Sequence, residues 1–332
     1  MGNIKKIKVA SFFCGCGGSD LGILGGFSFL EKSYKKLPYE IVYALDFDKY
    51  AVQTYNDNFK HQAVCQDIKN IDINELCDFE LLLGGFPCQS FSTVNPTKDT
   101  NDDRANLYKE LVKVLNKKKP KFFIAENVKG LMTLQKGNIL KKVITEFTNC
   151  GYKVYYKLLH AANFGIPQKR ERLFIVGIRN DLHYTYTFPR ETHSELGLEN
   201  NNMWVPLQVA IEGLQIAERK YYFSEKAVEG MKNAKNNMKR GLFQDLSKPC
   251  LTITSHLSKT SLNSRDPVLL IDAEKELYRR FTPREAARIQ SFPEQFRLHI
   301  SDTQAYKQIG NAIPPVLMWH VANALINSVI KN

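Results

Sequence analysis

Leu81-Leu82-Leu83-Gly84-Gly85-Phe86-Pro87-Cys88-Gln89-Ser90-Phe91-Ser92 is the stretch around which this chain of 332 residues is read. Three leucines closed by two glycines read as a short buried strand. A cysteine just past such a strand stands on the rim of a sheet, at the carboxyl end, where open α/β sheets hold their ligands. Pro87 sets the backbone immediately before the thiol. A cysteine alone is most often a small buried hydrophobe. Its company along the chain makes Cys88 a candidate nucleophile.

Upstream, residues 7–13 read as a first strand rich in β-formers. Cys14-Gly15-Cys16-Gly17-Gly18-Ser19-Asp20 follows, a turn whose glycines permit close approach to a ligand, with Ser19 expected to cap the next helix. Its spacing fits neither the dinucleotide fingerprint nor a phosphate loop. A second strand, 40–45, ends in Asp46-Phe47-Asp48. Asp48 is the better helix cap, which leaves Asp46 to accept from ribose hydroxyls and Phe47 to pack on a purine. A third strand at 63–65 ends near Asp67-Ile68. Glycines, an acid with an aromatic, and another acid suit an adenosine-type ligand with an amino-acid tail better than a pyrophosphate.

Downstream, residues 93–103 are polar and read as a loop beside the site, and 104–115 as a helix. Lys117-Lys118-Lys119 reads as a solvated turn. The strand 122–125 carries Glu126-Asn127-Val128 at its tip, a carboxylate that packing explains poorly. Gln168-Lys169-Arg170-Glu171-Arg172 precedes a further strand at 173–178. Alternating strands and helices predict a doubly wound α/β sheet over residues 1–179. From 180 to 272 the chain turns polar, aromatic and Asn-rich, and a smaller, mostly irregular or β domain is expected. In it a helix at 224–240 places Lys232, Lys235 and Lys239 on one face, an ordinary exposed face or a phosphate contact. Thr282-Pro283-Arg284-Glu285 is a capping box with proline at the first helical position. An amphipathic helix at 316–330 is expected to return to the first domain, so that 273–332 forms the hinge and closing segment.

The formal net charge of +12 fits a polyanionic partner such as nucleic acid, although a Lys-rich composition alone would also produce it. Hydrophobic residues make up 43%, which provides for a sizeable core. The 7 cysteines form no Cys-x-x-Cys pair, which argues against a disulfide framework or a zinc site, and no metal is expected. No apolar run is read as membrane-spanning, and the start lacks a signal-peptide core, so a cytoplasmic location is expected.

Taken in order, Phe13-x-Gly15-x-Gly17-Gly18, Gly85-Phe86-Pro87-Cys88-Gln89, Glu126-Asn127-Val128, Gln168-x-Arg170-x-Arg172, Thr282-Pro283-Arg284-Glu285 and Gly310-Asn311-Ala312 form one pattern. Over nearly its whole length the chain resembles the DNA (cytosine-5) methyltransferases of bacterial restriction–modification type. It departs from them at Ser11, where an acid is usual, at Asp46-Phe47, where Glu and often Trp are usual, and at Ala105, where Gly is common. A tRNA cytosine methyltransferase on the same scaffold is the alternative, but its Pro-Pro-Cys and Cys-Phe-Thr signatures are missing here. A catalytically silent DNA-binding homologue is disfavoured by the intact Cys88, Glu126 and Arg172.

The resemblance implies S-adenosyl-L-methionine as cofactor and double-stranded DNA as partner. It implies Cys88 as nucleophile, with Glu126, Arg172 and Arg170 around the flipped base. For the cofactor it points to Phe13, Cys16, Gly17, Gly18, Asp46, Phe47, Asp67, Ile68, Pro87, Leu107, Asn311 and Ile313. For DNA it points to Ser92, Arg104, Lys232, Lys235 and Thr252, with residues 180–272 as the target-recognition region. A monomer at the bacterial nucleoid is expected, with any cognate restriction endonuclease a separate protein.

Overall fold

Strands that are apolar on both faces need cover on both faces, and the sheet is built that way. A computed structural model describes residues 6–86, 107–198, 201–213, 218–232, 243–259 and 267–330. Its main sheet comprises β1 (Ile7–Phe12), β2 (Tyr39–Asp46), β3 (Val64–Cys65), β4 (Leu81–Gly85), β5 (Phe122–Val128), β6 (Tyr152–His160) and β7 (Glu171–Arg179). The strand order is β3-β2-β1-β4-β5-β7-β6. The first five run parallel, and β7 is antiparallel to both β5 and β6.

Alternate residues enter two separate cores. Val9, Leu81, Leu83, Ile124, Phe174 and Val176 face one, while Ala10, Phe12, Leu82, Phe123, Leu173 and Ile175 face the other. Helices α3 (Tyr108–Lys118) and α4 (Asn138–Asn149) cover the second through Leu111, Val114, Leu115, Val143 and Phe147. Helix α8 (Pro315–Ile330) covers the first and packs against α1 (Gly18–Leu24). It returns to the sheet as expected, but it is not amphipathic: apart from Asn327 its described residues are buried or half-buried. The stretch Asp302–Val329 has the length and composition to cross a membrane, more than the sequence reading allowed. However, 67% of its most apolar window is buried inside the protein, as in a core helix.

A third core joins Leu207, Ala210, Cys250, Ile253, Leu257 and Leu269 to Phe281, Ala287, Ile289, Phe292, Tyr306 and Ile309. It includes residues of α6 (Pro283–Ile289) and α7 (Asp302–Asn311). Tyr186 lies in the first core with Leu182, Tyr184 and Phe188 packed on it. The middle segment is mostly irregular, with α5 (Glu225–Lys232) its one described α-helix.

Local corrections have local causes. Ser19 does not cap α1: Gly17 holds the N-cap position, and the Ser19 hydroxyl donates instead to Asp20 (3.0 Å). Lys117 and Lys118 are the last turn of α3, where cations suit the carbonyl end, and Lys119 closes it in the left-handed region. The capping box at Thr282 forms as read, with Glu285 reaching back to the Thr282 N–H (2.8 Å).

Candidate active site

The chain leaves β1 toward β2 and β3 on one side, then resumes with β4 and β5 on the other. Between these halves the strand ends part and open a crevice. A cavity of about 790 Å³ occupies it. It is lined by the β1–α1 turn, the tips of β2 and β3, Gly85 at the end of β4 and Phe86 after it, Glu126 to Val128 on β5, Arg172 on β7, and residues of α7 through Ile313.

One end is acidic and aromatic. Asp46, 8% exposed, accepts from the Gly15 N–H (2.8 Å) on one oxygen and from the Asp48 N–H (2.9 Å) on the other. Burial raises its pKa against those hydrogen bonds. Asp48 takes the cap of α2 (Lys49–Asn58), accepting from Tyr50 and Ala51, and pairs with Lys307 of α7 at 2.6 Å. That lysine helps hold its carboxyl below the usual range. Phe47 is 71% exposed at the cavity wall, which Asp67 and Ile68 also line. The turn beneath is tightly fitted: a Cβ on Gly18 would lie 2.6 Å from the Ile313 carbonyl. Burial pushes the Cys16 thiol up to about 12, so Cys16 is a neutral packing group rather than a nucleophile.

The other end holds an ion pair. Glu126 stands opposite Gly85 on β4, and its Oε1 meets Nε of Arg172 at 2.9 Å. Burial raises the Glu126 pKa, and Arg172 pulls it back down. Next to it, Asn127 donates through Nδ2 to the Phe86 carbonyl (2.9 Å), tying β5 to the last described residue before Pro87-Cys88.

The description of C-5 cytosine-specific DNA methylases matches residues 7–327. The chain belongs to this family. It is a DNA cytosine-5 methyltransferase, and its relatives agree. The chain is 34% identical over 346 residues to the Type II methyltransferase M.NgoFVII of Neisseria gonorrhoeae, a match covering 97% of this chain and 87% of that one. It is 31% identical over 336 residues to M.FnuDI of Fusobacterium nucleatum, covering 96% and 94%. In fold it is similar to a mutant of Spodoptera frugiperda DNMT2, with a TM-score of 0.76 at 19% identity, covering 97% of this chain and 100% of that one.

In this methyltransferase the cavity gathers Phe13, Cys16, Gly18, Asp46, Phe47, Asp67, Ile68, Leu107, Glu126, Arg172, Asn311 and Ile313 of the expected site. Gly17 lies behind the turn, as the cap of α1. Arg170 is a correction. It is fully buried and does not line the cavity. Its guanidinium donates to the carbonyls of Ile253, Gly310 and Ala312, each at 3.0 Å. Arg170 lies just before β7, which begins at Glu171, so the regular alternation of that strand does not fix its direction to that of Arg172. Thr252 donates to the Lys169 carbonyl (2.7 Å), its hydroxyl engaged within the protein. Pro87, Cys88, Ser92, Arg104 and Lys235 lie outside the described residues, and Lys232 is the last described residue of α5.

The sequence reading quoted Gln168 in its pattern but gave neither Gln168 nor Gln290 a role. The fully buried Gln168 donates to Gln290 Oε1 (2.6 Å) and accepts from the Ile253 N–H (3.1 Å), and Gln290 donates to the Ile309 carbonyl (3.1 Å). With Arg170 they clasp the third core to the sheet. A Cβ on Gly310 would lie 2.2 Å from the Thr254 carbonyl carbon, so that joint requires glycine. Lys307 was given no role either, three residues before the Gly310-Asn311-Ala312 signal that could have pointed to it.

Proposed function

We propose that this methyltransferase binds S-adenosyl-L-methionine in the crevice and methylates carbon 5 of a cytosine flipped out of a specific duplex sequence, through a covalent Cys88 adduct. The observation that carries the reading is one cavity bounded by Asp46, Phe47 and Ile68 at one end and by the Glu126–Arg172 pair at the other. The donor set fits an adenosyl amino acid. Each Asp46 oxygen takes one N–H and keeps acceptor capacity for ribose hydroxyls. A Cβ placed on Gly15 would meet nothing within 4 Å, so that turn leaves room for a ligand.

The cofactor, when bound, supplies an electrophilic methyl group. The protein must turn carbon 5 of cytosine, a poor nucleophile, into a good one. Cys88, as thiolate, adds to carbon 6 and makes the ring an enamine. Glu126 hydrogen-bonds the ring nitrogen and the exocyclic amine; burial, by raising its pKa, favours the protonated carboxyl that can donate there. Arg172 holds Glu126 in place and contacts the base carbonyl oxygen. Loss of the carbon-5 proton to a base, for which water suffices, then expels the Cys88 thiolate. A thiol does not reach a stacked base, so the target leaves the helix.

Residues 180–272 would select the sequence through base edges. Lys232, Lys235, Arg104, Ser92 and Thr252 would meet the DNA, the last after exchanging its internal hydrogen bond. The Type II relatives support a modification role beside a separate restriction endonuclease, with the enzyme a monomer in the bacterial cytoplasm at the nucleoid.

Duplex DNA carrying 5-fluorocytosine at the target tests the mechanism. Fluorine cannot leave as a cation, so the enzyme should stay covalently joined to the DNA after methyl transfer. The adduct should survive denaturing electrophoresis, require S-adenosyl-L-methionine and vanish in Cys88→Ser. A wild-type enzyme that methylates cytosine normally but forms no adduct would rule out Cys88 as nucleophile.

A further inference from the structure

The acids around the crevice have partners of known kind, with one exception. Glu126 is paired with Arg172, Asp48 with Lys307, and Asp46 accepts two backbone N–H groups. Asp20, on α1 beneath the turn, is fully buried and faces three hydroxyls. Ser11 on β1 donates to its Oδ2 at 2.9 Å, Ser19 to the same oxygen at 3.0 Å, and Tyr55 on α2 to Oδ1 at 3.0 Å. Hydroxyls orient a carboxylate, but they do not neutralise it. A buried carboxylate is costly without a countercharge. The cost is visible as a pKa raised from 3.8 to about 6, chiefly by burial. Among the described residues no cation pairs with Asp20, and the nearest wall of the crevice is the turn Cys14 to Ser19 that Asp20 supports.

We propose that Asp20 is the buried countercharge for the sulfonium of the cofactor, and that it sets the preference of the site for the cationic methyl donor over the neutral thioether product. This rests on the proposed S-adenosyl-L-methionine site. In that reading the adenosine end lies at Asp46 and Phe47 and the methyl points toward Glu126. The turn over Asp20 is then the wall along which the remaining, cationic part of the ligand lies. Methyl transfer removes the sulfonium charge. The attraction to Asp20 that helps hold the donor then no longer holds the product, which favours exchange of spent cofactor.

Donor and product differ at sulfur alone and share the ammonium and carboxylate. The ratio of their affinities therefore isolates the sulfonium from general damage to the site. Isothermal titration of the whole protein with S-adenosyl-L-methionine and with S-adenosylhomocysteine reads that ratio. Asp20→Asn keeps the shape and one acceptor oxygen, presents its amide N–H to hydroxyls that can turn to accept, and removes the charge. It should weaken donor binding on the order of tenfold relative to product, the scale of one charge at partly buried distances. Tyr55→Phe removes a hydrogen bond without changing charge and should move both ligands alike.

In the unmodified protein the ratio should fall as pH drops from 8 to 5.5, because protonation silences Asp20. The titratable groups facing Asp20 are Cys14 and Cys16 of the turn, whose thiols burial keeps neutral, and Tyr55 of α2, also neutral; Asp46 at the tip of β2 acts on the same two thiols. A pH-dependent ratio that persists unchanged in Asp20→Asn would assign the effect to Asp46 and overturn the proposal. Equal loss for both ligands in Asp20→Asn would do so too, making Asp20 a scaffold. Should the unmodified protein bind neither ligand, the cofactor reading itself fails. If the variant does not fold, the pH dependence in the unmodified protein still decides: a flat ratio between pH 8 and 5.5 overturns the proposal.

Discussion

Replacing Arg170 with methionine separates a structural from a catalytic role for this residue. The guanidinium is fully buried and donates to three backbone carbonyls drawn from two segments, Ile253 on one side and Gly310 and Ala312 on the other. Methionine fills much of the volume but leaves those carbonyls without a donor. An orphaned buried acceptor costs roughly 1–3 kcal/mol, and hydrogen bonds of one network are not additive. Relief of burying a cation offsets part of the loss. The expected destabilisation is about 3–5 kcal/mol, within the span measured for breaking buried charge networks. For a protein of this size that lowers the melting temperature by roughly 4–7 °C. Thermal unfolding measured beside single-turnover methyl transfer at a low temperature checks it. The variant should melt early yet retain methyl transfer while folded. A variant that melts within about a degree of the wild type but has lost methyl transfer would show that Arg170 acts on the base, and the reasoning would fail.

Other outcomes follow from the same geometry. Asp46→Ala removes the ribose acceptor and should weaken S-adenosyl-L-methionine binding at least tenfold by calorimetry, about the loss of one charged hydrogen bond; unchanged affinity would refute the assignment. Glu126→Gln keeps the shape but loses the Arg172 pair, and should slow 5-fluorocytosine trapping strongly while duplex affinity in a filter assay stays the same. Asp20 binds its proton more tightly in the folded chain, since its pKa rises from 3.8 to about 6. Its contribution to stability is therefore most favourable below 3.8 and is lost as pH rises toward about 6, so the stability difference between Asp20→Asn and wild type should grow in favour of the variant across that window in melts without cofactor. Duplex affinity should fall steeply with salt. Exchanging residues 180–272 for those of a relative should move the methylated site without altering the chemistry, as bisulfite sequencing would read.

Much of this protein is written in local patterns. The alternation of apolar strands and helices announces a doubly wound sheet, because strands buried on both faces must be apolar throughout. Asp48 is recognisable as a cap and Asp46 as an acid left free of that cap at a strand tip because helix starts and strand tips are short-range features. The capping box at Thr282 is legible for the same reason. What the tertiary structure decided are pairings between residues distant in sequence. Arg170 and Arg172 look equivalent in Gln168-x-Arg170-x-Arg172, yet one is enclosed by carbonyls more than eighty positions away and the other faces Glu126 in the crevice. The helix α8 reads as amphipathic until the sheet and α1 enclose it. Asp20 is an unremarkable residue in a glycine-rich turn until β1 and α2 bring Ser11 and Tyr55 to its carboxylate. Periodicity and capping depend on neighbours a few residues away, so a sequence displays them. Burial and partner choice depend on which distant elements meet, and chain closure alone brings those together.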